Sequence, residues 1–569
     1  MVSLAYGTRL GGLVEKTAGE LLVECLLNQG CKLGFTVPGE SFLGVLDALY
    51  DRQDDFRLVV CRQEGGAAFM AEAYGKLTGR PGIVFVTRAP GATNASIGVV
   101  TAHLDATPMI LFVGQTSRGN DGRTAFQEID LRATFSSMAK MVVEVNDPER
   151  IPELVSRAYY TACSGRPGPV VIGLPDDMLT DRVRSDVQIG DPYQDVHTYP
   201  SPAALEQLRG LIAGASQPLM ILGGSRWSQE ACDDFRHFAE SFQLPVATAF
   251  RRQDLFPNRH PLYVGSKGPG VDPALESMSD ADLLLVVGAP LSELMTRAYT
   301  KMAIPRPAQK LVHVCSGPEE LGRTYQPDLA IACDMPSFAR AARELEAPEG
   351  PPKWKTWLTK GRASYEAFIK PKVLTETHAD MARAVSWLNE TLPDDTLICV
   401  GAGNYTHWVL RYYEYQQFGT QLATQCAVMG YSVPAAITAS LLHPERLVVA
   451  FAGDGCFLMN GQELATAVKY DTNTKFIVVN NNMYGSVRMH QERKFPGRPM
   501  AIDLTNPDFA QLAKAYGIPS AVATSNDEFE TAFTDLAKAK GPALIELRTD
   551  PNVSNPTATI DDLRNKAKA

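Results

Sequence analysis

The residues whose types and spacing indicate chemistry are the triplet Gly453-Asp454-Gly455 and the pair Asn480-Asn481. The stretches before them, 446–452 and 475–479, are largely apolar and β-branched, as expected of buried strands, and 461–470 reads as a helix between them. In a parallel sheet both sites fall at the carboxyl edge, where ligands bind. An Asp, an Asn and a backbone carbonyl make an all-oxygen set suited to Mg²⁺, and the glycines let N–H groups approach a diphosphate.

This pattern resembles the thiamine diphosphate (ThDP) site of the family that includes acetohydroxyacid synthase, pyruvate decarboxylase and pyruvate oxidase. The resemblance implies that Asp454 and Asn481 are side-chain Mg²⁺ ligands and that Met483 supplies a carbonyl ligand. It also implies cofactor contacts for a set of neighbouring residues: Gly453, Gly455, Cys456, Tyr484 and Gly485. The structural alternative is an ordinary α/β turn with an Asp helix cap and an Asn-rich loop.

Size and composition predict a globular enzyme of several domains. The chain has 569 residues, which exceeds what one core supports. Its net charge of −10 disfavours a nucleic-acid partner, and no segment is long and apolar enough to suggest a signal peptide or a membrane span. The ten cysteines are scattered without metal-binding spacing. We therefore expect a cytoplasmic protein with reduced, buried cysteines.

Strand-like and helix-like segments alternate along the whole chain, which predicts an α/β fold with parallel sheets. Three blocks are expected at 12–185, 200–345 and 375–550, followed by a polar tail at 551–569 that is loose or folds over the mouth of the site. The first and last blocks end in a similar helix and strand, which suggests two copies of one unit. By resemblance to the pyruvate decarboxylase and acetolactate synthase type, the blocks are a pyrimidine-binding domain, a central Rossmann-like domain and a diphosphate-binding domain. The central domain binds FAD in some relatives, and FAD stays open here because no GxGxxG is present.

Glu64 is the candidate for activating the cofactor. ThDP loses a proton from a weak carbon acid, and a carboxylic acid bonded to its pyrimidine ring promotes the tautomer that removes it. Glu64 follows the expected strand 56–60 and opens a helix of small residues. The segment resembles the family's catalytic Glu segment, which implies the catalytic role. The alternative is a first-turn Glu that is favoured by the helix dipole.

The family also bends the cofactor over a bulky apolar side chain, and the segment 426–431 matches that element. The resemblance implies that Met429 is the wedge and that Ala427, where relatives often have Gly, offers a carbonyl. Met429 as a plain core residue is the alternative. The resemblance further places Gly403 and Asn404 near the diphosphate, although relatives carry Gln-His there. Pro38, Gly39, Gly91 and Asn94 complete the expected cofactor contacts.

Substrate-facing positions are implied at Ala89, which replaces a Gly of the acetohydroxyacid synthases, and at Phe126 and Gln127. Phe126 as a core residue is the alternative. His490 stands where that group commonly has a Trp that shapes acceptor choice. A His offers a titratable polar group that orients substrate, and a satisfied surface His is the alternative. The candidate catalytic residues are thus Glu64, Gln127 and His490.

The closest resemblance is to the acetohydroxyacid (acetolactate) synthase large subunit. It implies a carboligase that decarboxylates a 2-oxo acid and adds the resulting enamine to a second carbonyl compound. It also implies a homodimer or homotetramer, with each active site shared between two subunits. A simple 2-oxo acid decarboxylase or carbon–carbon lyase is the alternative. A non-catalytic ThDP-fold binding protein is a third option, against which Glu64 argues.

Overall fold

The computed structural model describes residues 15–266 and 272–568. The chain forms two compact units, which divide between Asp195 and Val196. The three six-stranded sheets of these units lie within the three expected blocks, and a small two-stranded sheet lies in the expected tail. The block boundaries themselves stay a prediction.

The first unit has its strands and helices in alternation. The strands are β1 (Glu15–Thr17), β2 (Leu33–Thr36), β3 (Arg57–Val60), β4 (Gly82–Thr87), β5 (Met109–Gln115), β6 (Met141–Glu144), β7 (Pro169–Pro175) and β8 (Arg182–Arg184). The α-helices are α1 (Ala18–Asn28), α2 (Leu43–Tyr50), α3 (Glu64–Thr78), α4 (Ala89–Asp105), α5 (Leu131–Phe135) and α6 (Ile151–Cys163).

Six of these strands form one parallel sheet in the order β3-β2-β4-β5-β7-β6. Every residue of β5 and β7 is buried, because helices cover both faces of the sheet. β1 and β8 pair separately as a two-stranded antiparallel ribbon.

Helix α3 begins at Glu64, as the sequence predicts, because the Gln63 side chain caps it by accepting from the Gly66 N–H at 3.0 Å. Small residues let α3 pack closely on α4. A Cβ at Gly98 would lie 2.3 Å from the Cβ of Ala68, so Gly98 permits this contact. The close packing fixes the start of α3 relative to the start of α4.

The second unit carries two further sheets. Its strands are β9 (Pro218–Leu222), β10 (Val246–Thr248), β11 (Tyr263–Ser266), β12 (Leu283–Val287), β13 (Lys310–Cys315), β14 (Leu329–Ala332), β15 (Leu397–Val400), β16 (Gln421–Ala423), β17 (Val448–Gly453), β18 (Thr474–Asn480), β19 (Ser520–Ala523), β20 (Ala543–Arg548), β21 (Val553–Asn555) and β22 (Ala558–Thr559). Its α-helices are α7 (Pro202–Gly214), α8 (Gln229–Phe242), α9 (Pro273–Asp280), α10 (Met335–Arg343), α11 (Lys355–Phe368), α12 (Met381–Thr391), α13 (Thr406–Tyr412), α14 (Ser432–Leu442), α15 (Asp454–Phe457), α16 (Leu464–Lys469), α17 (Gly485–Lys494), α18 (Phe509–Ala515), α19 (Asn526–Ala537) and α20 (Ile560–Lys568).

The two six-stranded sheets of this unit are parallel and differ in topology. The central sheet has the order β11-β10-β9-β12-β13-β14, which is the dinucleotide-binding Rossmann order. The last sheet has the order β16-β15-β17-β18-β20-β19, which repeats the order of the sheet in the first unit. The predicted α/β fold with three parallel sheets is therefore confirmed. The helix predicted at 461–470 is instead a 3-10 turn followed by α16.

The glycines at the carboxyl edge of the central sheet are explained by packing. A Cβ at Gly224 would lie 1.9 Å from the Gly288 carbonyl oxygen, so the turns after β9 and β12 pack directly on each other. Arg252 donates to the Gly224 carbonyl at 2.5 Å, and Trp227 donates to the Gly223 carbonyl at 2.7 Å. These contacts account for the glycines without a nucleotide, and FAD binding stays a prediction.

The cysteines behave as small buried residues. None of the ten forms a disulfide, and nine are buried. Burial raises the pKa of the Cys25 and Cys31 thiols to about 12, which keeps them protonated and unreactive. Among the described residues, no helix has the length and apolar character that crossing a membrane requires.

Candidate active site

A cleft of about 290 Å³ opens at the carboxyl edge of the last sheet. The sequence-predicted cofactor and metal residues of the second unit all line it. They are Gly403, Asn404, Ala427, Met429, Gly453, Asp454, Gly455, Cys456, Asn481, Met483, Tyr484 and Gly485. The cleft therefore brings together residues from four separate strand ends.

Asp454 follows β17 directly and is only 3% exposed. Its Oδ1 accepts from the Gly455 N–H at 2.9 Å, and its Oδ2 accepts from the Asn506 side-chain amide at 2.9 Å. Burial raises the pKa of the Asp454 carboxyl, and these hydrogen bonds partly offset that rise. No Lys, Arg or His of the described residues forms an ion pair with it, so the carboxylate lacks the cation that usually compensates burial.

The amides after β18 surround this carboxylate. Asn480 ends the strand, and its side chain bonds Glu546 and Asn506 at 2.9 and 3.0 Å. Asn481 lines the cleft, and its Oδ1 accepts from the Met483 N–H at 3.3 Å. The Met483 carbonyl accepts from the Gly485 N–H at 3.0 Å and retains a second lone pair. Asn480 thus belongs to the framework, whereas Asn481 faces the cleft.

Asn506 is a site residue that sequence reasoning missed. Its amide nitrogen contacts the oxygens of Asp454, Asn480 and Asn482 at 2.9 to 3.3 Å. Its own Oδ1 is buried and has no donor among the described residues. Asn506 reaches the site because the segment around Ile502 pairs with the loop after β18, where the Tyr484 N–H donates to Ile502 at 2.8 Å. No local sequence pattern predicts such a contact between two loops.

The segment after β16 carries Met429, the predicted wedge. Met429 is half-buried, lines the cleft and also packs against the hydrophobic core of the last sheet. Its role as a wedge stays a prediction. Ala427 has a left-handed backbone with φ of 53°, a conformation in which Gly is favoured. This agrees with the Gly that relatives often carry at that position.

The first unit gathers its own candidates at the carboxyl edge of its sheet. Asn94 in α4 donates to the Glu64 carboxylate at 2.9 Å, so the two predicted residues are direct partners. Gly39 follows β2, and a Cβ there would lie 2.5 Å from the Thr87 Cβ. Pro38 precedes it, and Gly91 lies in the first turn of α4, where a Cβ would meet Val86 at 3.1 Å. These close approaches hold the loop ends together around Glu64.

The predicted substrate residues of this unit are also neighbours. The Ala89 N–H donates to the Gln127 carbonyl at 3.1 Å, and Gln127 has a left-handed φ of 58°. Phe126 is 69% exposed, so its alternative as a core residue is wrong. The Glu128 carboxylate accepts from the N–H groups of Gly122 and Ala125 and holds this turn.

His490 does not line the cleft. It is exposed and lines a second, larger cavity of about 1110 Å³ in the same unit. Asn404 and Ser486 line both cavities, so the two spaces adjoin there. The tail also contributes to the cleft: Ser554 lines it, and its carbonyl accepts from Asn404 at 2.8 Å. Further along the tail, Arg564 pairs with Glu492 of α17 at 2.7 Å.

Comparisons of the sequence with known proteins match nearly the whole chain. Three family models match: the thiamine pyrophosphate enzyme N-terminal TPP binding domain over 16–134, the central domain over 205–342 and the C-terminal TPP binding domain over 401–547. The chain is 30% identical to the probable acetolactate synthase large subunit of Methanocaldococcus jannaschii, covering 94% of this chain and 92% of that protein. The chain belongs to the thiamine pyrophosphate-dependent enzymes.

Two further relatives are also acetolactate synthase large subunits. The acetolactate synthase large subunit of Lactococcus lactis is 32% identical, covering 89% of this chain and 88% of that protein. The acetolactate synthase isozyme 2 large subunit of Escherichia coli is 29% identical, covering 93% and 95%. The protein is thus a ThDP-dependent enzyme of the group that makes and breaks carbon–carbon bonds.

The cleft of this ThDP enzyme suits a metal-bound diphosphate. Among the described residues, no three His, Cys, Asp or Glu side chains cluster as metal ligands. The donors that line the cleft near Asp454 would offer a metal this one carboxylate together with neutral oxygens. That hard oxygen set suits Mg²⁺, which also keeps phosphate oxygens as ligands. A Cβ at Gly455 would lie 2.7 Å from the Tyr484 ring, so glycine permits the close approach of Tyr484 to this turn.

Proposed function

We propose that the protein is a ThDP- and Mg²⁺-dependent carboligase that decarboxylates a 2-oxo acid and joins the remaining acyl group to a second carbonyl compound. In balanced form, a 2-oxo acid anion, an aldehyde and one proton give a 2-hydroxy ketone and CO₂. The observation that carries the proposal is the single cleft in which the buried Asp454 carboxylate, without a cationic partner, meets the glycine turns and the Met429 wedge.

The residues of the second unit would hold the cofactor. Asp454, Asn481 and the Met483 carbonyl are the proposed Mg²⁺ ligands, with Asn506 orienting the Asp454 carboxylate through its 2.9 Å hydrogen bond. ThDP, when bound, supplies the electron sink that makes loss of CO₂ from a 2-oxo acid feasible. Met429 lies where an apolar side chain would support the bent form of the cofactor.

Glu64 would keep a proton at the pyrimidine ring of the cofactor. Its carboxylate is the acceptor of the Asn94 amide at 2.9 Å, which fixes its orientation and leaves its other oxygen for the ring nitrogen. Gln127, Phe126 and Ala89 lie at the same sheet edge and would contact the substrate. Glu64 and Asp454 belong to different units, and we propose a homodimer or homotetramer in which each site takes Glu64 from one subunit and Asp454 from its partner.

The adjoining large cavity favours ligation over simple decarboxylation. A decarboxylase needs only a proton to complete its turnover, whereas a carboligase must accommodate a second substrate beside the cofactor. The cavity of about 1110 Å³ meets the cleft at Asn404 and Ser486 and offers that space. The relatives named as acetolactate synthases support the same reading. We further propose a cytoplasmic enzyme that needs no nucleic-acid partner.

The test is a product screen with the purified protein, ThDP and Mg²⁺. Pyruvate, glyoxylate and benzoylformate are supplied singly and in pairs, and products are separated and identified by mass. We expect CO₂ together with a carbon–carbon ligation product, and loss of both in Glu64→Gln. Aldehyde as the only product would overturn the carboligase in favour of a decarboxylase. Absence of CO₂ with every donor would favour a non-catalytic protein, and the absorbance spectrum would report bound flavin.

A further inference from the structure

Two arginines line the large cavity without a carboxylate partner. Arg411 belongs to α13 and Arg493 to α17. Within the part of the chain that the structure describes, no ion pair is formed by either side chain. The Arg411 Nε donates to the Phe368 carbonyl at 2.7 Å, and its guanidinium lies 4.1 Å from the centre of the Phe368 ring. Burial lowers the pKa of Arg411, as expected of a cation that gains little compensation from its surroundings.

Two helices present a histidine and an arginine to the cavity. His407 and Arg411 line it from α13, and His490 and Arg493 line it from α17 together with Ser486. The spacings of four and three residues place each His-Arg pair on one face of its helix, and Asn404 lines the cavity from the turn before α13. Ser486 donates to Asn404 at 2.8 Å, which joins the two sets at the end next to the cofactor cleft.

The arginines lie at the far end of both sets. Seven residues of α-helix rise about 10 Å, so Arg493 lies roughly that far along the axis from Ser486. Arg411 is seven residues beyond Asn404. An extended ligand with one end in the cleft would therefore reach the arginines with its other end.

The histidine between them does not supply a competing charge. Burial and the nearby positive charges of Arg251 and Arg493 together lower the pKa of His407 to about 4. The His407 ring is therefore neutral at neutral pH. The cavity also has carboxylates, which come from other segments: Asp272, Glu293 and Asp562. Its remaining cations are Arg297 and Lys566, of which Arg297 pairs with Glu276 at 3.2 Å.

Building on the proposed function, we propose that Arg411 and Arg493 bind an anionic group at the far end of the acceptor substrate. The acceptor class is then an aldehyde or ketone whose carboxylate or phosphate lies several bonds from the carbonyl that reacts. Guanidinium groups bind both anions in a bidentate manner, and the volume of about 1110 Å³ accommodates a chain of that length. His407 and His490 line the path between the two ends and offer hydrogen bonds to it.

The experiment measures acceptor discrimination in Arg493→Gln and Arg411→Gln with pyruvate as donor. Succinic semialdehyde is compared with butanal, and glyceraldehyde 3-phosphate with glyceraldehyde. We expect the KM for the charged acceptors to rise at least about tenfold, because a charge-assisted contact is lost, while the KM for the neutral acceptors changes less than about twofold. Lys494→Gln removes the same charge one residue away, outside the cavity lining, and should leave both ratios unchanged.

A rise for only one charged acceptor identifies the anion as carboxylate or as phosphate. An unchanged ratio of the KM for the charged acceptor to the KM for the neutral acceptor in Arg493→Gln overturns the inference. Because Arg493 is exposed, its substitution should not disturb folding, and the test stays valid if Arg411→Gln fails to fold. Should no acceptor be coupled, the proposed function fails instead. Calorimetric titration with succinate and inorganic phosphate then decides the anion site alone: binding that is weakened in Arg493→Gln supports it, and binding that is absent or unchanged overturns it.

Discussion

The sheet of the first unit and the last sheet of the second unit share one strand order, and in both the candidate residues follow the first four strands of the sheet in chain order. After the second of these strands, one copy has Glu64 and the other has Ala427 with Met429. After the third, one has the segment 89–94 and the other has 453–456. The same scaffold thus fixes where the candidate residues lie, and in the proposed function the side chains decide which part of the chemistry each copy performs.

The two edges differ in how their acid is held. Glu64 is half-exposed and has the Asn94 amide as a partner. Asp454 is buried among amides and has no cationic partner among the described side chains. A half-exposed acid beside a neutral donor suits proton exchange. A buried carboxylate whose oxygens keep further lone pairs suits the binding of a metal.

The largest expected effect is that of Asp454→Asn. Replacing the only carboxylate of the proposed metal set should lower turnover by more than about a thousandfold and abolish Mg²⁺-dependent ThDP binding. Titration of ThDP followed by tryptophan fluorescence, with and without Mg²⁺, measures it. Asp535→Asn, on an exposed helix face, is the control. An unaltered Mg²⁺ requirement in Asp454→Asn would mean that the metal is held elsewhere.

Glu64→Gln should act on turnover and spare cofactor binding. Loss of a general acid–base group costs about a hundredfold to ten-thousandfold in rate. We expect that loss in CO₂ release, with the ThDP affinity changed less than about fivefold because Glu64 is not a metal ligand. Glu149→Gln, another exposed Glu in a helical first turn, should behave as the parent protein. If Glu64→Gln instead abolished ThDP binding, as expected of Asp454→Asn, the proposed division between cofactor activation by Glu64 and cofactor binding by Asp454 would be wrong.

Much of this comparison could be predicted from the sequence because it depends on local patterns. The strands expected at 56–60, 446–452 and 475–479 are confirmed to within two residues at each end, since buried parallel strands are continuous apolar runs. The cleft residues of the second unit were found because they directly follow such runs. The predicted start of α3 at Glu64 is likewise confirmed, because Gln63 caps the helix locally.

The remaining features depend on contacts between distant segments. Asn506 reaches Asp454 only through the pairing of two loops, and its own neighbourhood in the sequence shows no strand end. His490 lies about one turn further along α17 than the residues that line the cleft. Whether His490 reaches the cleft therefore depends on the direction of the α17 axis, which the sequence does not give. The shared strand order was suggested only by similar endings of two blocks, because strand order is a tertiary property.

Asn506→Ala tests the framework around Asp454 with an intermediate effect. Removing a residue that orients a metal ligand commonly costs about ten- to a hundredfold in metal affinity. We expect the Mg²⁺ concentration for half-maximal activity to rise by that factor while turnover at saturating Mg²⁺ stays within about threefold. An unchanged Mg²⁺ dependence would remove Asn506 from the site. Among the described residues, Glu64 has no corresponding cluster of amides, and Asn94 bonds Glu64 rather than a proposed metal ligand. We therefore expect Asn94→Ala to leave the Mg²⁺ affinity unchanged.

The smallest effect concerns stability and again compares the copies. Lys475 is buried and donates at 2.8 Å to the carbonyls of Ala539 and Gly541, and exposed Lys140 donates at 2.8 Å to those of Ser164 and Arg166. We expect Lys475→Gln to cost about 2–4 kcal/mol and Lys140→Gln under about 1 kcal/mol in the free energy of unfolding, because solvent screens the exposed contacts. Urea denaturation measures both, and equal costs would contradict the burial argument.

The same lysine predicts a pH dependence. Burial lowers the pKa of Lys475 from 10.5 to about 8. The unfolded chain therefore binds more protons between these values, so the free energy of unfolding should rise as the pH increases from about 8 to about 10.5. The rise should be absent in Lys475→Gln. A wild-type stability that falls over this window relative to the variant would contradict the shift.

The central claim is that Glu64 of one subunit and the proposed metal site around Asp454 of another subunit meet across the subunit interface. The most direct measurement is the activity of hybrids between Glu64→Gln and Asp454→Asn subunits, carrying different affinity tags and purified as mixed oligomers. The account predicts that each inactive parent complements the other, because a hybrid dimer contains one site with both residues intact. Verified hybrids that remain as inactive as their parents would contradict it.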